Sequence, residues 1–248
     1  MRTALVRMPG PRLAEGILTH LERRPIDRDL AFGQHHAYVT ALADAGFDVR
    51  WVDGADECPD AVFVEDTVVV LGDQAILARP GAPSRRAEVA GTERAVRELG
   101  LRVTELQGDC TLDGGDVLLA GDTVYVGRSG RTDDEAICQL APLLNGRRVV
   151  GVKVSGRLHL KSAMTALPDG SLIGNPDWID TSVLPGIRVA PDQAGAHLVA
   201  LGTDHVLIAA SAPRTAERLR VEGWQVTTVD ISEFEALEGS VTCLSVLI

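Results

Sequence analysis

The chain has 248 residues, of which 35 are acidic and 24 are basic, so its formal net charge is −11. This length and an apolar fraction of 45% suit a globular protein with a large core and exclude a disordered one. No apolar run is long enough for a membrane span, we recognise no secretory leader, and the acidic balance argues against general nucleic-acid binding. We therefore expect a cytoplasmic protein with neither a membrane nor a nucleic-acid partner.

The cysteines indicate neither a metal site nor a disulfide framework. None of them forms a C-x-x-C pair, so a structural zinc site is not indicated. Outside a secretory context we also expect no disulfides. A free thiol is by default a small buried apolar group, and only its surroundings make it a nucleophile. The four are Cys58, Cys110, Cys138 and Cys243.

The chain repeats one module, in which an apolar strand leads through a polar turn to a second strand, a loop and a helix. First strands are predicted at residues 62–70, 115–120, 158–164 and 197–201. After turn sequences rich in Gly and Asp, the returning strands are predicted at 75–78, 124–127, 171–174 and 205–208. Helices are predicted at about 84–99, from a capping-box sequence at 132–135, and at about 213–222.

The two ends of the chain complete this pattern. Residues 3–7 and 241–248 both look like strands, and together they would form a fifth copy split across the termini. The first two turns are 49 residues apart, a spacing within the range of repeat arrays. The sequence therefore predicts one domain over residues 1–248, an α/β propeller of five blades around a central channel. A mixed α/β sandwich is the alternative.

Ionisable side chains stand in or beside the first strands, where a strand near a ring axis would normally be apolar. In a closed ring these side chains would converge on one central cavity. Taken alone, each has a structural interpretation too: Cys243 fits a core thiol or a nucleophile, and His159 a hydrogen-bonded structural group or a general acid–base. The set comprises Glu65, Asp66, Asp113, Asp116, His159 and Cys243.

The carboxylates also leave two interpretations open. Asp113 and Asp116 frame two glycines in a sequence typical of a tight turn, but one of them could orient a catalytic histidine. The glycines lack the spacing of a phosphate loop. Adjacent Glu65 and Asp66 would point to opposite faces of a regular strand. With Asp60 they suggest a cation-binding wall, although a solvated strand end fits equally well.

Two pairs of arginines lie at or just before the starts of predicted helices, where cations oppose the helix dipole unless a carboxylate partners them. Arg85 and Arg86 follow a Pro-Gly-Ala-Pro turn, and Arg128 and Arg131 come just before the next helix. Either pair could be solvated or could bind an anion.

In order along the chain, these motifs resemble the dimethylarginine dimethylaminohydrolase family. Each motif is moderately specific and the ordered set is highly specific, covering nearly the whole chain. The resemblance implies the five-bladed pentein fold of guanidine-modifying enzymes. It is carried by FVED at 63–66, RPGAPSRR at 79–86, LDGGDV at 112–117, LHLKS at 158–162 and TCLSVLI at 242–248.

The resemblance also implies roles for individual residues. Cys243 would attack the guanidinium carbon of an N-methylated arginine, His159 would protonate the leaving amine and then activate water, and Asp113 would hold the histidine. No metal or organic cofactor is implied, and the protein would be a monomer or a homodimer. The substrate would be held by Leu18, Asp60, Glu65, Asp66, Arg85, Arg131 and Glu238, with Leu18 in a lid over the site and the arginines at the substrate carboxylate.

Two further expectations follow. The neighbouring carboxylates should raise the pKa of Cys243, so the thiol should be neutral in the empty site and ionise when a cation binds. Glu238 stands five residues before Cys243 where relatives carry aspartate, and the extra methylene leaves its substrate role open. Residues 177–192 match the family only loosely.

Three alternatives remain at this point. An arginine deiminase of the same fold would act on unmethylated arginine, but that family carries an acid where this chain has Lys161. An amidinotransferase would be longer. A non-enzymatic pentein, which binds without chemistry, would need neither the cysteine nor the histidine.

Overall fold

The computed structural model describes residues 2–248, which contain five α-helices. Asp27 caps the longest helix by accepting a hydrogen bond from the Leu30 amide, and Asp133 caps the third by accepting one from Ala136. The capping box predicted from Thr132 is therefore wrong, because the Thr132 hydroxyl instead accepts the Asp113 amide. The helices are α1 (Arg28–Asp44), α2 (Val89–Glu98), α3 (Asp134–Leu140), α4 (Pro213–Val221) and α5 (Ser232–Glu235).

The strands form five separate sheets of three strands each. In every sheet two strands run antiparallel and a third lies parallel to one of them. In chain order the strands are β1 (Thr3–Val6), β2 (Asp48–Trp51), β3 (Val68–Leu71), β4 (Gln74–Leu77), β5 (Arg102–Glu105), β6 (Val117–Ala120), β7 (Thr123–Arg128), β8 (Arg148–Lys153), β9 (Met164–Ala166), β10 (Leu172–Gly174), β11 (Arg188–Val189), β12 (Leu198–Ala200), β13 (His205–Ala209), β14 (Gln225–Val229) and β15 (Val246–Leu247).

One sheet joins the two ends of the chain. Its order is β15-β1-β2, with Ala4 opposite Leu247, and the Thr3 amide donates to the Ile248 carbonyl at 2.8 Å. The split fifth copy predicted from the sequence is thereby confirmed.

The five sheets surround a central channel. Residues from β3, β6, β9, β12 and β15, one inner strand from every sheet, line a single cavity of about 390 Å³. The walls of this cavity are largely apolar side chains such as Val69, Leu118 and Val199. The α/β propeller is confirmed and the sandwich alternative is wrong.

A short 3-10 turn precedes each inner strand, and in every sheet except that of β12 the sequence predicts that the strand has already begun there. Close packing explains the difference, because a Cβ atom on Gly114 would lie 2.1 Å from the Glu65 carbonyl oxygen. The backbones of neighbouring turns therefore touch at the channel mouth. The turns are Val64–Thr67, Gly114–Asp116, Leu160–Ser162, Gln193–Ala196 and Thr242–Leu244.

The apolar core lies in several clusters between these sheets and the helices outside them. The largest includes Tyr38 and Leu42 of α1, Phe234 of α5 and Cys243. The helix predicted over 84–99 is a 3-10 helix at Pro83–Glu88 that continues into α2. Over residues 2–248, no helix combines the length and the apolar character that crossing a membrane requires.

Candidate active site

His159 lies at the channel mouth between two carboxylates. Its Nε2 atom is 2.9 Å from Asp113 Oδ2, and its Nδ1 atom is 3.6 Å from Asp66 Oδ1. All three side chains are buried. Burial is the largest influence and lowers the pKa of His159, but Asp66, Asp113 and Asp116 together raise that pKa to about 9. The imidazole is therefore a cation at neutral pH and can donate a proton.

Asp116 anchors the turn that carries the histidine. Its Oδ1 atom accepts the Leu160 amide at 2.8 Å, and its Oδ2 atom accepts the Ser129 hydroxyl at 2.6 Å. Burial raises the pKa of Asp116 to about 6. Of the two aspartates that frame the glycines, Asp113 contacts the imidazole ring and Asp116 joins the third turn to the second.

Cys243 occupies the 3-10 turn at the start of the last strand, with 6% of the residue exposed. Its Sγ atom lies 3.3 Å from the Ser240 hydroxyl oxygen. Burial, followed by the charges of Glu65 and Asp66, raises the pKa of this thiol to about 12. The thiol is therefore neutral in the empty site, in the direction expected from the neighbouring carboxylates.

Asp66 belongs to a buried ionic network that reaches away from the histidine. Arg85 is 3% exposed, and its guanidinium lies 2.6 Å from Asp66 Oδ2 and 2.8 Å from Glu88 Oε2. Burial raises the pKa of Asp66, but His159 and Arg85 outweigh it and lower that pKa to about 2. Asp66 is thus an anion. Glu88 went unrecognised in the sequence, where its only signal was its position three residues after Arg85.

Glu65 points away from this network. Lys161 Nζ lies 2.7 Å from Glu65 Oε1, and both residues line the inner end of the channel. Glu65 Oε2 is buried and has no hydrogen-bond partner within residues 2–248. Neighbouring Glu65 and Asp66 therefore face different surroundings, although they lie in a 3-10 turn and not in the regular strand that the sequence predicts.

The remaining predicted residues lie at the outer end of the site. Asp60 is buried and accepts the Ile17 amide at 3.0 Å, and Leu18 packs against the core cluster that contains Cys243. Arg131 Nη1 is 3.6 Å from Asp113 Oδ2. Glu238 accepts three backbone amides of residues 19–21 through Oε1. The catalytic candidates therefore lie at the centre and these groups at the edge.

One group of potential metal ligands occurs in the described part of the chain, formed by Asp66, Asp113 and His159, whose ligand atoms lie within 4.8 Å of one another. Asp66 Oδ1 already accepts the Gly115 amide and Asp113 Oδ1 accepts the Gly81 amide, each at 2.9 Å. These donors and the cationic imidazole compete with any metal ion for the carboxylate oxygens.

The five blades and a buried cysteine, histidine and carboxylate set at the channel mouth define a pentein of the guanidine-modifying type. The profile of the family described as "N,N dimethylarginine dimethylhydrolase, eukaryotic" matches residues 20–180. A Streptomyces coelicolor protein named N(G),N(G)-dimethylarginine dimethylaminohydrolase is 54% identical over 99% of this chain and 96% of its own. This chain belongs to the dimethylarginine dimethylaminohydrolase family.

A solved structure leads to the same family. The Pseudomonas aeruginosa protein of that name is 30% identical over 97% of both chains. The crystal structure of a cysteine-to-serine mutant of the P. aeruginosa enzyme, complexed with citrulline, superposes with a TM-score of 0.89 and covers 99% of this chain and 98% of that one.

Proposed function

We propose that the chain hydrolyses asymmetric dimethylarginine and monomethylarginine to citrulline and dimethylamine or methylamine. The observation that carries this proposal is the buried thiol of Cys243, whose pKa is raised by burial and by the neighbouring carboxyl groups Glu65 and Asp66, together with the cationic His159 between Asp66 and Asp113. Such a pocket binds a planar cation and supplies a nucleophile and a proton donor together. The names of the relatives support the same substrate class.

Binding of the substrate cation prepares the nucleophile. Burial and the charges of Glu65 and Asp66 hold the pKa of Cys243 high, and a guanidinium bound beside these carboxylates offsets their charges. The thiol therefore releases its proton to the surrounding water as the substrate binds. The same carboxylates orient the guanidinium carbon towards the sulfur atom. The thiolate is then formed only when its target is present.

His159 acts twice in the reaction that follows. Attack of the Cys243 sulfur on the guanidinium carbon forms a tetrahedral adduct, and the imidazolium protonates the departing amine, leaving a covalent thiouronium. The neutral imidazole then removes a proton from water. The hydroxide adds to the same carbon of the thiouronium. Collapse of this adduct breaks the carbon–sulfur bond, the departing sulfur takes the electron pair and then the hydroxyl proton, and citrulline is released with the thiol and the imidazolium restored.

The amino-acid end of the substrate lies at the outer edge of the site in this proposal. Asp60, with Leu18 above it, receives the substrate amino group, and Arg131 receives the carboxylate. Arg131 Nη1 is buried and lacks a hydrogen-bond partner within the described chain. The family resemblance also places Arg85 at the substrate carboxylate, but its guanidinium already pairs with Asp66 and Glu88 and would have to release one of them.

The remaining proposals concern the setting of the enzyme. We assign a single catalytic domain to residues 1–248, because β15 and β1 share one sheet. The four cysteines are unpaired, which suits a reducing cytoplasm. The protein would act as a monomer or a homodimer.

Citrulline release from asymmetric dimethylarginine and from arginine, measured side by side without added metal, tests the proposed function. We expect turnover of the methylated substrate. Turnover of arginine alone would show that the enzyme is an arginine deiminase. If folded protein with a reduced thiol released no citrulline from either substrate, the proposal would be overturned and a binding role favoured.

A further inference from the structure

One irregular segment contains Leu18, the residue predicted to lie in a lid. Residues 16–27, all of them described, form neither helix nor strand, and we call them the lid. Leu18 packs from the lid onto the core cluster that contains Cys243, and the Ile17 amide donates to Asp60. With the lid in this position, Cys243 is 6% exposed and His159 2% exposed. A substrate the size of arginine therefore reaches the thiol only when the lid moves.

The lid tip is tied to the body by one carboxylate. Glu238 Oε1 accepts the backbone amides of Thr19 at 3.0 Å and Leu21 at 2.7 Å, and that of His20 between them. Three consecutive amides around one oxygen form an anion-binding nest, and hydrogen bonds to an ionised acceptor are stronger than neutral ones. Thr19, His20 and Leu21 are otherwise exposed, so this oxygen is their main anchor.

The space beside this anchor is open. His20 and Leu21 line a cavity of about 390 Å³ together with Arg157, Trp178 and Glu238. The lid tip is therefore not packed against protein on that side. Breaking the contact with Glu238 frees the tip to move without disrupting the core.

We propose that Glu238 is the latch of the lid, a positioning residue that acts through the lid backbone rather than on the guanidinium. The reaction it serves is the proposed hydrolysis. Opening requires its carboxylate to release three amides together, so Glu238 sets the balance between the closed and the open site. This gives the glutamate, one methylene longer than the expected aspartate, a role at the lid tip.

Hydrogen exchange at the amides of residues 19–21 tests the latch directly, using the full-length protein and its Glu238→Gln and Glu238→Gly variants. Glu238 has a φ of 61°, a left-handed conformation that glycine adopts freely. Glu238→Gly should therefore keep or raise the melting temperature while removing the carboxylate. We expect exchange at these amides to rise about tenfold or more in Glu238→Gly and less in Glu238→Gln.

The matched control is Glu235→Gln, a second carboxylate on the same cavity whose partner is the Ser211 hydroxyl rather than the lid. This change should leave exchange at residues 19–21 as it is. In the latch variants KM should rise several-fold for both methylated arginines alike, with kcat nearly constant, because the latch does not touch the methyl groups.

The Glu238 latch and the proposed hydrolysis can be contradicted by different results. Unchanged exchange at residues 19–21 in a folded Glu238→Gly variant would overturn the latch whatever the activity. A protein that releases no citrulline but loses lid protection in that variant would retain the latch and lose the proposed function.

Discussion

Two of the five 3-10 turns at the channel mouth show how similar backbones acquire different roles. The turn Leu160–Ser162 follows His159, which lies among three aspartates. The turn Gln193–Ala196 precedes His197, whose Nε2 atom lies 2.7 Å from the Ser162 carbonyl oxygen. Burial lowers the pKa of His197 to about 4, whereas the carboxylates raise that of His159 to about 9.

The turn Gln193–Ala196 packs against a helix. A Cβ atom on Gly195 would lie 2.1 Å from the Thr215 hydroxyl oxygen, so this turn sits directly against α4. Asp192 beside it accepts the Thr215 amide at 2.7 Å and thus caps the first turn of that helix. The propeller therefore supplies five comparable positions, and reactivity arises only where carboxylates from neighbouring blades surround them.

The largest expected effect is loss of the nucleophile. Cys243→Ala should lower kcat for citrulline release by about 10⁴-fold or more, as for removal of other covalent nucleophiles. Cys58 is equally buried, and its thiol donates to the Ser84 carbonyl at 3.6 Å. Cys58→Ala should leave kcat unchanged, and strong residual activity in Cys243→Ala would contradict the covalent mechanism.

Separate substitutions of His159 and His197 test whether the two turns differ in function. His159→Gln should lower kcat by roughly 10²- to 10⁴-fold, the usual contribution of general acid–base catalysis. His197→Gln should keep kcat and alter only the melting temperature, because its partner is a carbonyl and no carboxylate contacts its ring. Steady-state citrulline release measures both. Equal losses would show that the charged surroundings of His159 do not distinguish the two turns.

Glu88→Gln should weaken the network behind Asp66. It removes the charge that pairs with Arg85 in a place where Glu88 is 0% exposed. We expect a loss of about 3 kcal/mol in the free energy of unfolding, as for other broken buried pairs, and a lower kcat because Arg85 becomes free to shift Asp66. The exposed pair of Glu93 and Arg97 is the control. Glu93→Gln should cost less than about 0.5 kcal/mol in urea unfolding.

The raised pKa of His159 predicts a pH-dependent stability. Its folded pKa of about 9 exceeds the unfolded value of 6.5, so the protonated histidine stabilises the fold fully below pH 6.5 and progressively less as the pH rises through 9. The difference in unfolding free energy between the natural protein and His159→Gln should therefore shrink by about 3 kcal/mol across that range. A constant difference between pH 6 and 10 would contradict the assignment.

The smallest expected effect is that of a substitution beside the turn Gln193–Ala196. Asp192→Asn weakens the cap of α4 and should lower the free energy of unfolding by about 1 kcal/mol. Citrulline release should not change, because no contact of Asp192 reaches the catalytic candidates. A clear fall in kcat would show that the turn Gln193–Ala196 takes part in the chemistry.

Local features of the sequence predict much of this organisation. Alternating apolar residues and Gly-Asp turns are local signals, so the repeated module, its returning strands and the strand pair at the two termini were predicted correctly. The strand starts were not, because the 3-10 turns form where neighbouring blades pack backbone against backbone. The motifs around Asp66, Asp113, His159 and Cys243 likewise identified the family before any contact was known.

Local patterning and an ordered set of motifs are sufficient to predict the five modules, the family and the residue types at the channel mouth. Which of those residues meet depends on how the blades pack in the folded protein. Arg85 is held by Glu88 and Asp66, His159 is charged while His197 is neutral, and Glu238 reaches a lid more than 200 residues earlier in the chain. These outcomes depend on burial and on charges from other blades, which sequence position does not specify.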